Sequence, residues 1–312
     1  MGPKAVGKKL DVYAVVELLL LHGIDPRMSE HHGITPLHVA CVRGRFDLAE
    51  LLLRFNAPIN LTDGWGFTPL ERAYGTGDIR IIEMLIGHGA DVEAWMLGGE
   101  PPLARCIYDG KLDIFEAFLP FADINQATML GFAPIHLASD GADRIDQGDA
   151  ETVSILLEYG ADLSKYLQSG ETVSPFHNAA RYGHVKICDI LLQHEPAFLN
   201  LQIEKGFMIE SPLFMACHRK KKEVVRFLLD KGAKADQLSF YYKESPLFTA
   251  CDVGDLEIAK MVLEAAPQMI NVPTAFNCTP LVYACEHGNV EMVKMLLDAG
   301  AGIYLPNGAR TT

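Results

Sequence analysis

Apolar positions along the chain fall into paired short runs rather than one sustained period. The first run of each pair opens on Pro and stops at Gly. A Leu- or Ile-rich run comes next, and then about ten mixed residues lead to the next Pro. The opening Thr35-Pro36-Leu37-His38 returns as Thr68-Pro69-Leu70, Pro101-Pro102-Leu103 and Ala133-Pro134-Ile135-His136. It continues as Ser174-Pro175-Phe176-His177, Ser211-Pro212-Leu213, Ser245-Pro246-Leu247 and Thr279-Pro280-Leu281. Intervals of 33, 33, 32, 41, 37, 34 and 34 residues separate these eight prolines. Ala or Cys follows each of them within a turn or so, and Gly44, Gly77, Gly110, Gly183, Gly254 and Gly288 all stand at one offset from theirs.

Thr or Ser before Pro reads as an N-cap with Pro at the first helical position, where a missing N–H costs nothing. Ala and Cys sit where two helices must approach closely, and the Gly supplies the left-handed residue that ends the first helix. Asp47-Leu-Ala-Glu-Leu-Leu-Leu53 and Glu291-Met-Val-Lys-Met-Leu-Leu297 then read as second helices, and Gly89 and Gly300 each end such a Leu- or Ile-rich run. A unit is therefore helix, turn, helix and extended finger. One helix pair cannot bury its own apolar face, so the units must stack.

These motifs resemble the ankyrin-repeat family over nearly the whole chain. Gly33-Ile-Thr-Pro-Leu-His-Val-Ala-Cys41, Gly66-Phe-Thr-Pro-Leu70 with His88-Gly-Ala-Asp-Val92, and Cys278-Thr-Pro-Leu281 with Asp298-Ala-Gly-Ala301 carry the likeness. The resemblance implies an all-α repeat solenoid with hairpin-like fingers, a single domain over residues 1–312. Its expected units are 1–33 (degenerate), 34–66, 67–99, 100–131, 132–172, 173–209, 210–243, 244–277 and 278–312.

Four departures stand out. Asp140–Glu151 is an acidic insertion, and residues 202–210 lengthen one finger. Lys220 replaces a turn glycine, a mildly strained choice for a left-handed residue. Val15-Val-Glu-Leu-Leu-Leu-Leu-His-Gly23 reads as a second helix without a clear first one, and Asn307–Thr311 as the start of a further unit. Since neither end reads as a polar cap, the chain is expected to be a piece of something longer or to pack its ends on something else.

Catalysis finds little support. Cys41, Cys217, Cys251 and Cys285 each lie five residues after a repeat proline and Cys106 four after one, a recurrence that marks small core residues rather than nucleophiles. Cys-x-x-Cys is absent, and seven cysteines without a pairing pattern suit a reducing compartment. His31, His32 and His38 could be read as a metal cluster. However, His38, His136 and His177 share one repeat position, where the resemblance implies hydrogen bonds between neighbouring repeats. The acids of the insertion fail the calcium-loop spacing. Asn60, Asn125, Asn200 and Asn271, sites that family members can hydroxylate, read as turn residues capping their own backbone. No metal, cofactor or enzymatic activity is expected.

Charge refines the picture. Forty acidic against 27 basic side chains give −13, which speaks against nucleic acid and anionic membranes as partners. The longest apolar run, Val15 to Leu21, contains Glu17 and is too short to span a bilayer, and no signal peptide is read at the N-terminus. A monomer in the cytoplasm, with the nucleus as the alternative, is the expectation.

Family resemblance implies that partners bind at the fingertips and the exposed side of the first helices, in a concave groove. The tips carry His31, His32, Ile34, Trp65, Phe67, Leu97, Met129, Leu130, Phe132, Phe207, Met208, Tyr241, Tyr242 and Phe276, apolar where fingers are usually polar. Phe67 and Phe132 could instead pack on an adjacent finger. First helices add Arg72, Arg105, Tyr108, Arg181, Tyr182 and Arg219. Arginines in an acidic protein suggest a protein or peptide partner carrying carboxylates or phosphates beside apolar anchors. Arg219-Lys220-Lys221-Lys222 could be a nuclear-import patch, but at a helix end it also complements the dipole. The expected function is non-enzymatic partner recognition by a scaffold or adaptor. The alternatives are the substrate adaptor of a ubiquitin ligase, or the regulatory segment of a larger enzyme, channel or host-targeted effector.

Overall fold

In the computed structural model, the described residues are 11–93, 99–140, 150–163, 174–205, 208–239 and 241–303. They form seventeen α-helices, two short strands and two 3-10 turns. First helices open on the repeat prolines: α2 (Pro36–Val42), α4 (Pro69–Thr76), α6 (Pro102–Asp109), α8 (Pro134–Asp140), α10 (Pro175–Tyr182), α12 (Pro212–His218), α14 (Pro246–Asp252) and α16 (Pro280–Glu286). Second helices are α1 (Val12–Leu21), α3 (Phe46–Arg54), α5 (Ile79–Gly87), α7 (Leu112–Phe118), α9 (Ala150–Glu158), α11 (Val185–His194), α13 (Lys222–Asp230), α15 (Leu256–Ala265) and α17 (Val290–Asp298). Residue contacts divide the chain into two compact units, residues 1–129 and 130–312.

Helices of seven to ten residues do not hold in water alone, so caps and stacking make them. Thr35, Thr68, Ser174, Ser211, Ser245 and Thr279 are extended N-caps whose hydroxyls accept a first-turn N–H. In α2 and α4 the box is reciprocal, with His38 or Glu71 reaching back to the cap N–H. Left-handed Gly77, Gly110 and Gly183 close α4, α6 and α10. Lys220 takes that conformation without being glycine, at φ 55°.

In the first unit α2 packs on α4, α1 on α3 and α5 on α7; in the second, α8, α10, α12, α14 and α16 follow one another. Between first helices, Ala73, Cys106, Ala179, Cys217 and Ala250 are wholly buried. Burial pushes the Cys41, Cys106 and Cys251 thiols up to about 12, so these sulfurs stay protonated and inert. Cys285 departs from the expectation of a buried core thiol. It is exposed, because α16 is the last described first helix and no described element covers that face.

Asparagines and histidines stitch successive loops together. Asn60 accepts from the Asp91 N–H at 2.9 Å and donates to Gly89 O at 3.3 Å. Asn200 accepts from the Lys234 N–H and Asn271 from the Gly302 N–H, both at 2.8 Å. These three therefore do not cap their own turns, as their sequence context suggested. Each amide reaches the following repeat, whose loop backbone has no helical partner of its own. His38 Nε2 bonds to Phe67 O and His177 Nε2 to Leu201 O, each at 3.0 Å, while each Nδ1 meets its cap hydroxyl. Burial drives His136 and His177 down to about 4, so both are neutral near pH 7.

The long finger is a hairpin, β1 (Ile203–Lys205) antiparallel to β2 (Met208–Glu210), with Ile203 opposite Glu210. Beside α1, an apolar cleft of about 750 Å³ opens between α1, α2 and α3, lined by Val12, Val16, Ile34, Val39, Leu48 and Leu52. A first helix paired with α1 would take that place, and residues 1–10 lie outside the described residues. So do Leu97, Phe207, most of the acidic insertion and Asn307–Thr311.

Candidate functional site

The first unit's best-defined fingertip is built around Asp63, a residue that the sequence pattern did not single out. Its side chain is fully buried and accepts from the Trp65 N–H at 2.9 Å and the Phe67 N–H at 3.1 Å. The second oxygen takes Arg72 Nε at 2.8 Å and Nη2 at 2.5 Å. Burial by itself would raise the Asp63 carboxyl. The Arg72 guanidinium and the two amides prevail and hold it below the usual carboxylate range. The guanidinium lies 4.4 Å from the Phe67 ring and 5.4 Å from that of Trp65. Trp65 stacks on His32 of the preceding finger at 5.1 Å, and the Gly64 N–H donates to His32 O. A side chain on Gly64 would collide with that carbonyl, so two fingers can join here only through glycine. Trp65 still shows 58% of its surface. Arg72 thus supports the fingertip instead of offering a free cation.

Arg105 is engaged in a similar way. Its Nε donates to Asp109 Oδ2 at 3.0 Å, and the hydroxyl of the buried Tyr74 donates to the same oxygen at 2.8 Å. Lys111 closes the group, with Nζ donating to Tyr74 O at 2.7 Å and lying 3.8 Å from the Tyr74 ring centroid. Tyr108 is half-buried on α6, and Met129 is 82% exposed.

In the second unit Phe132 is half-buried, 6.3 Å from the His136 ring. Arg181, Tyr182 and Arg219 gather near the ends of α10 and α12. Arg181 lies 5.6 Å from the Tyr182 ring, and Asp140 neighbours the Tyr182 phenol. Burial, then the charge of Asp140, raises that phenol, against Arg181 and Arg219. Tyr241 is exposed, whereas Tyr242 is half-buried and stacks on Phe276 at 5.7 Å. The Ala275 N–H donates to Tyr242 O at 2.7 Å, so these two fingers repeat the backbone link of the first unit.

The four-cation run divides between two helices. Arg219 caps the C-terminus of α12, as the dipole favours, but Lys221 and Lys222 begin α13 at the unfavourable end. Lys222 is compensated by Glu257 at 2.8 Å and Asp255 at 3.7 Å, and the Lys221 stem lies over Gly183. Two of the four thus serve contacts between repeats.

Sequence reasoning also missed an acidic group on the same row. Glu244, Asp252 and Glu286 face Tyr283, and Glu210 neighbours Glu244. Burial and the neighbouring Asp252 and Glu210 raise the Glu244 carboxyl. The signal was present: Asp252 and Glu286 occupy the position that Arg181 and His218 hold two units earlier.

Residues 5–95, 142–239, 176–273 and 213–307 match the family described as ankyrin repeats (3 copies). The chain belongs to the ankyrin-repeat family, whose members are generally non-enzymatic protein-interaction modules. Over 104 residues it is 29% identical to the human Transient receptor potential cation channel subfamily A member 1. That stretch covers 33% of this chain and 8% of the channel. No helix among the described residues is long and apolar enough to cross a membrane.

Proposed function

We propose that the protein is a non-enzymatic recognition module that holds a partner protein or peptide on the first helices and fingertips of its units. The observation that carries this reading is the set of apolar tips left in water on anchored fingers. Trp65 (58% exposed), Met129 (82%), Tyr241 (51%) and Phe276 (71%) are costly to leave there without a use. Trp65 and Phe276 are braced by ring stacking and backbone links, so binding need not order them afresh. Arg181 and Arg219 make no ion pair among the described residues, which suits partner carboxylates or phosphates. Trp65, Phe67, Met129, Tyr108, Phe132, Arg181, Tyr182, Arg219, Tyr241 and Tyr242 are the proposed contacts. Arg72 and Arg105 contribute by holding the surface in shape.

Affinity capture from cell lysate with the wild type and with Trp65→Ala/Arg219→Glu tests the reading, circular dichroism reporting that the helices persist. Partners retained by the wild type should be lost from the variant. An unchanged set on a folded variant refutes it. A second reading, a regulatory segment of a larger protein, is favoured by the 104-residue likeness to a cation channel.

A further inference from the structure

The first-helix face of the second unit changes sign along its length. Near the ends of α10 and α12 stand Arg181, His218, Arg219 and Lys220, the last three exposed. Near the ends of α14 and α16 stand Asp252 and Glu286, joined from the finger side by Glu210 and Glu244. Among the described residues, no lysine or arginine pairs with any of these four carboxylates. On the second helices some charges are paired between repeats: Lys222 and Arg226 share Glu257, and Lys231 takes Asp189. The first-helix row thus carries two patches of opposite sign, with Asp140, among the described residues, as the one carboxylate facing Tyr182 in the basic one.

The acidic patch has an aromatic floor and wall. Tyr283 packs 4.8 Å from Phe248 and 4.5 Å from His287, and the Tyr242–Phe276 stack stands on the adjoining fingers. Carboxylates beside ring faces suit the cation and the apolar stem of Lys or Arg together. The basic patch, with Tyr182 beside Arg181, suits carboxylates. Neighbouring helices pack roughly 8–10 Å apart, so two repeats separate the patches by about 20 Å. An extended chain advancing about 3.3 Å per residue covers that distance in about six residues.

We infer that this face binds an extended segment of a partner protein with a split charge. Its Asp or Glu residues lie over α10 and α12, and its Lys or Arg residues, about six positions away, lie over α14 and α16. The two patches fix which end of the segment lies where, since a reversed segment sets like charges against each other at both ends. This rests on the recognition reading above and adds a partner chemistry to it.

Fluorescence anisotropy at about 50 mM salt, inside the range where such contacts are weakly screened, tests the inference with three labelled synthetic peptides. One carries aspartates and arginines at opposite ends of a Gly/Ser spacer of about six residues. A second has the same composition with charges alternating, and a third is acidic throughout. The full chain should bind the split peptide about tenfold or more tighter than the alternating one. Asp252→Lys/Glu286→Lys should abolish that preference yet leave the acidic peptide bound, and Arg181→Glu/Arg219→Glu should release the acidic peptide. Equal affinity for split and alternating peptides, or a preference that survives Asp252→Lys/Glu286→Lys, overturns the split-charge inference. If the acidic peptide still depends on Arg181 and Arg219 in that case, the face remains a binding surface and only the charge pattern is wrong. If neither pair of substitutions alters any peptide, the inference falls and the recognition reading for this face falls with it.

Discussion

Removing the Asp63 carboxylate should open the Trp65 fingertip without unfolding the repeats. Asp63→Ala deletes the acceptor of two backbone N–H groups and the partner of Arg72. A hydrogen bond to a charged group contributes about 1.5 kcal/mol or more, so the two amides account for about 3 kcal/mol. The ion pair adds less than its short distances suggest, because the Arg72 side chain is 27% exposed and partly screened; about 1 kcal/mol is reasonable. The sum, about 4 kcal/mol, bears on one finger, since a repeat array stores its stability locally. Asp63→Asn keeps a neutral acceptor for the amides and loses the ion pair, so it should cost roughly half as much. Amide hydrogen exchange followed by mass spectrometry reads the effect. Each 1.4 kcal/mol of easier opening is a tenfold faster exchange, so residues 63–68 should exchange about a hundredfold or more faster in Asp63→Ala. Peptides from α10 to α17 should be unchanged. If residues 63–68 exchange as slowly in Asp63→Ala as in the wild type, the carboxylate does not hold the finger and the reasoning fails.

The buried histidines and the strained turn give two further outcomes. His177 has its folded-state pKa lowered to about 4, so between the unfolded value of about 6.5 and that pH the unfolded chain binds the extra proton. Stability from His177 is full above about pH 6.5 and is lost as the pH falls towards 4. Urea midpoints should drop across that window, and His177→Gln, though less stable at pH 7, should show a shallower drop; parallel curves would contradict the buried neutral ring. Lys220→Gly should raise the urea midpoint by the equivalent of about 1 kcal/mol, because glycine takes φ 55° without the Cβ clash. A lower midpoint would mean that Lys220 contributes a contact worth more than its strain.

Much of the fold was legible because each repeat writes its own punctuation. Thr or Ser before Pro, Ala or Cys at the close approach and Gly at the turn each correspond to one physical demand, and α2 to α17 answer to them. Lys220 was readable as a left-handed residue because its sister units defined the position. The candidate site was less legible. Trp65, Met129, Tyr241 and Phe276 could be identified as tips from spacing alone. Whether Arg72 or Arg105 was free could not, since each is neutralised by a carboxylate, Asp63 or Asp109, that only the folded finger or helix brings into reach. Cys285 misled for the converse reason: its position is buried only where another first helix lies against it. The asparagines misled because a local turn and a bond to the next repeat look alike in one dimension.

Those asparagine and histidine ties also have a direction. In each, the side chain comes earlier in the chain and the backbone group that it satisfies comes later: Asn60 before Asp91, Asn200 before Lys234, Asn271 before Gly302, His38 before Phe67. Each of these loops is therefore completed by a residue of the repeat before it. During synthesis, which delivers the N-terminus first, such a loop meets a template already in place, and for these ties the part already folded waits for nothing. A cut from the C-terminal side leaves behind side chains that water can satisfy. A cut from the N-terminal side removes the template, and the two ends of the same array are not equivalent places to shorten it.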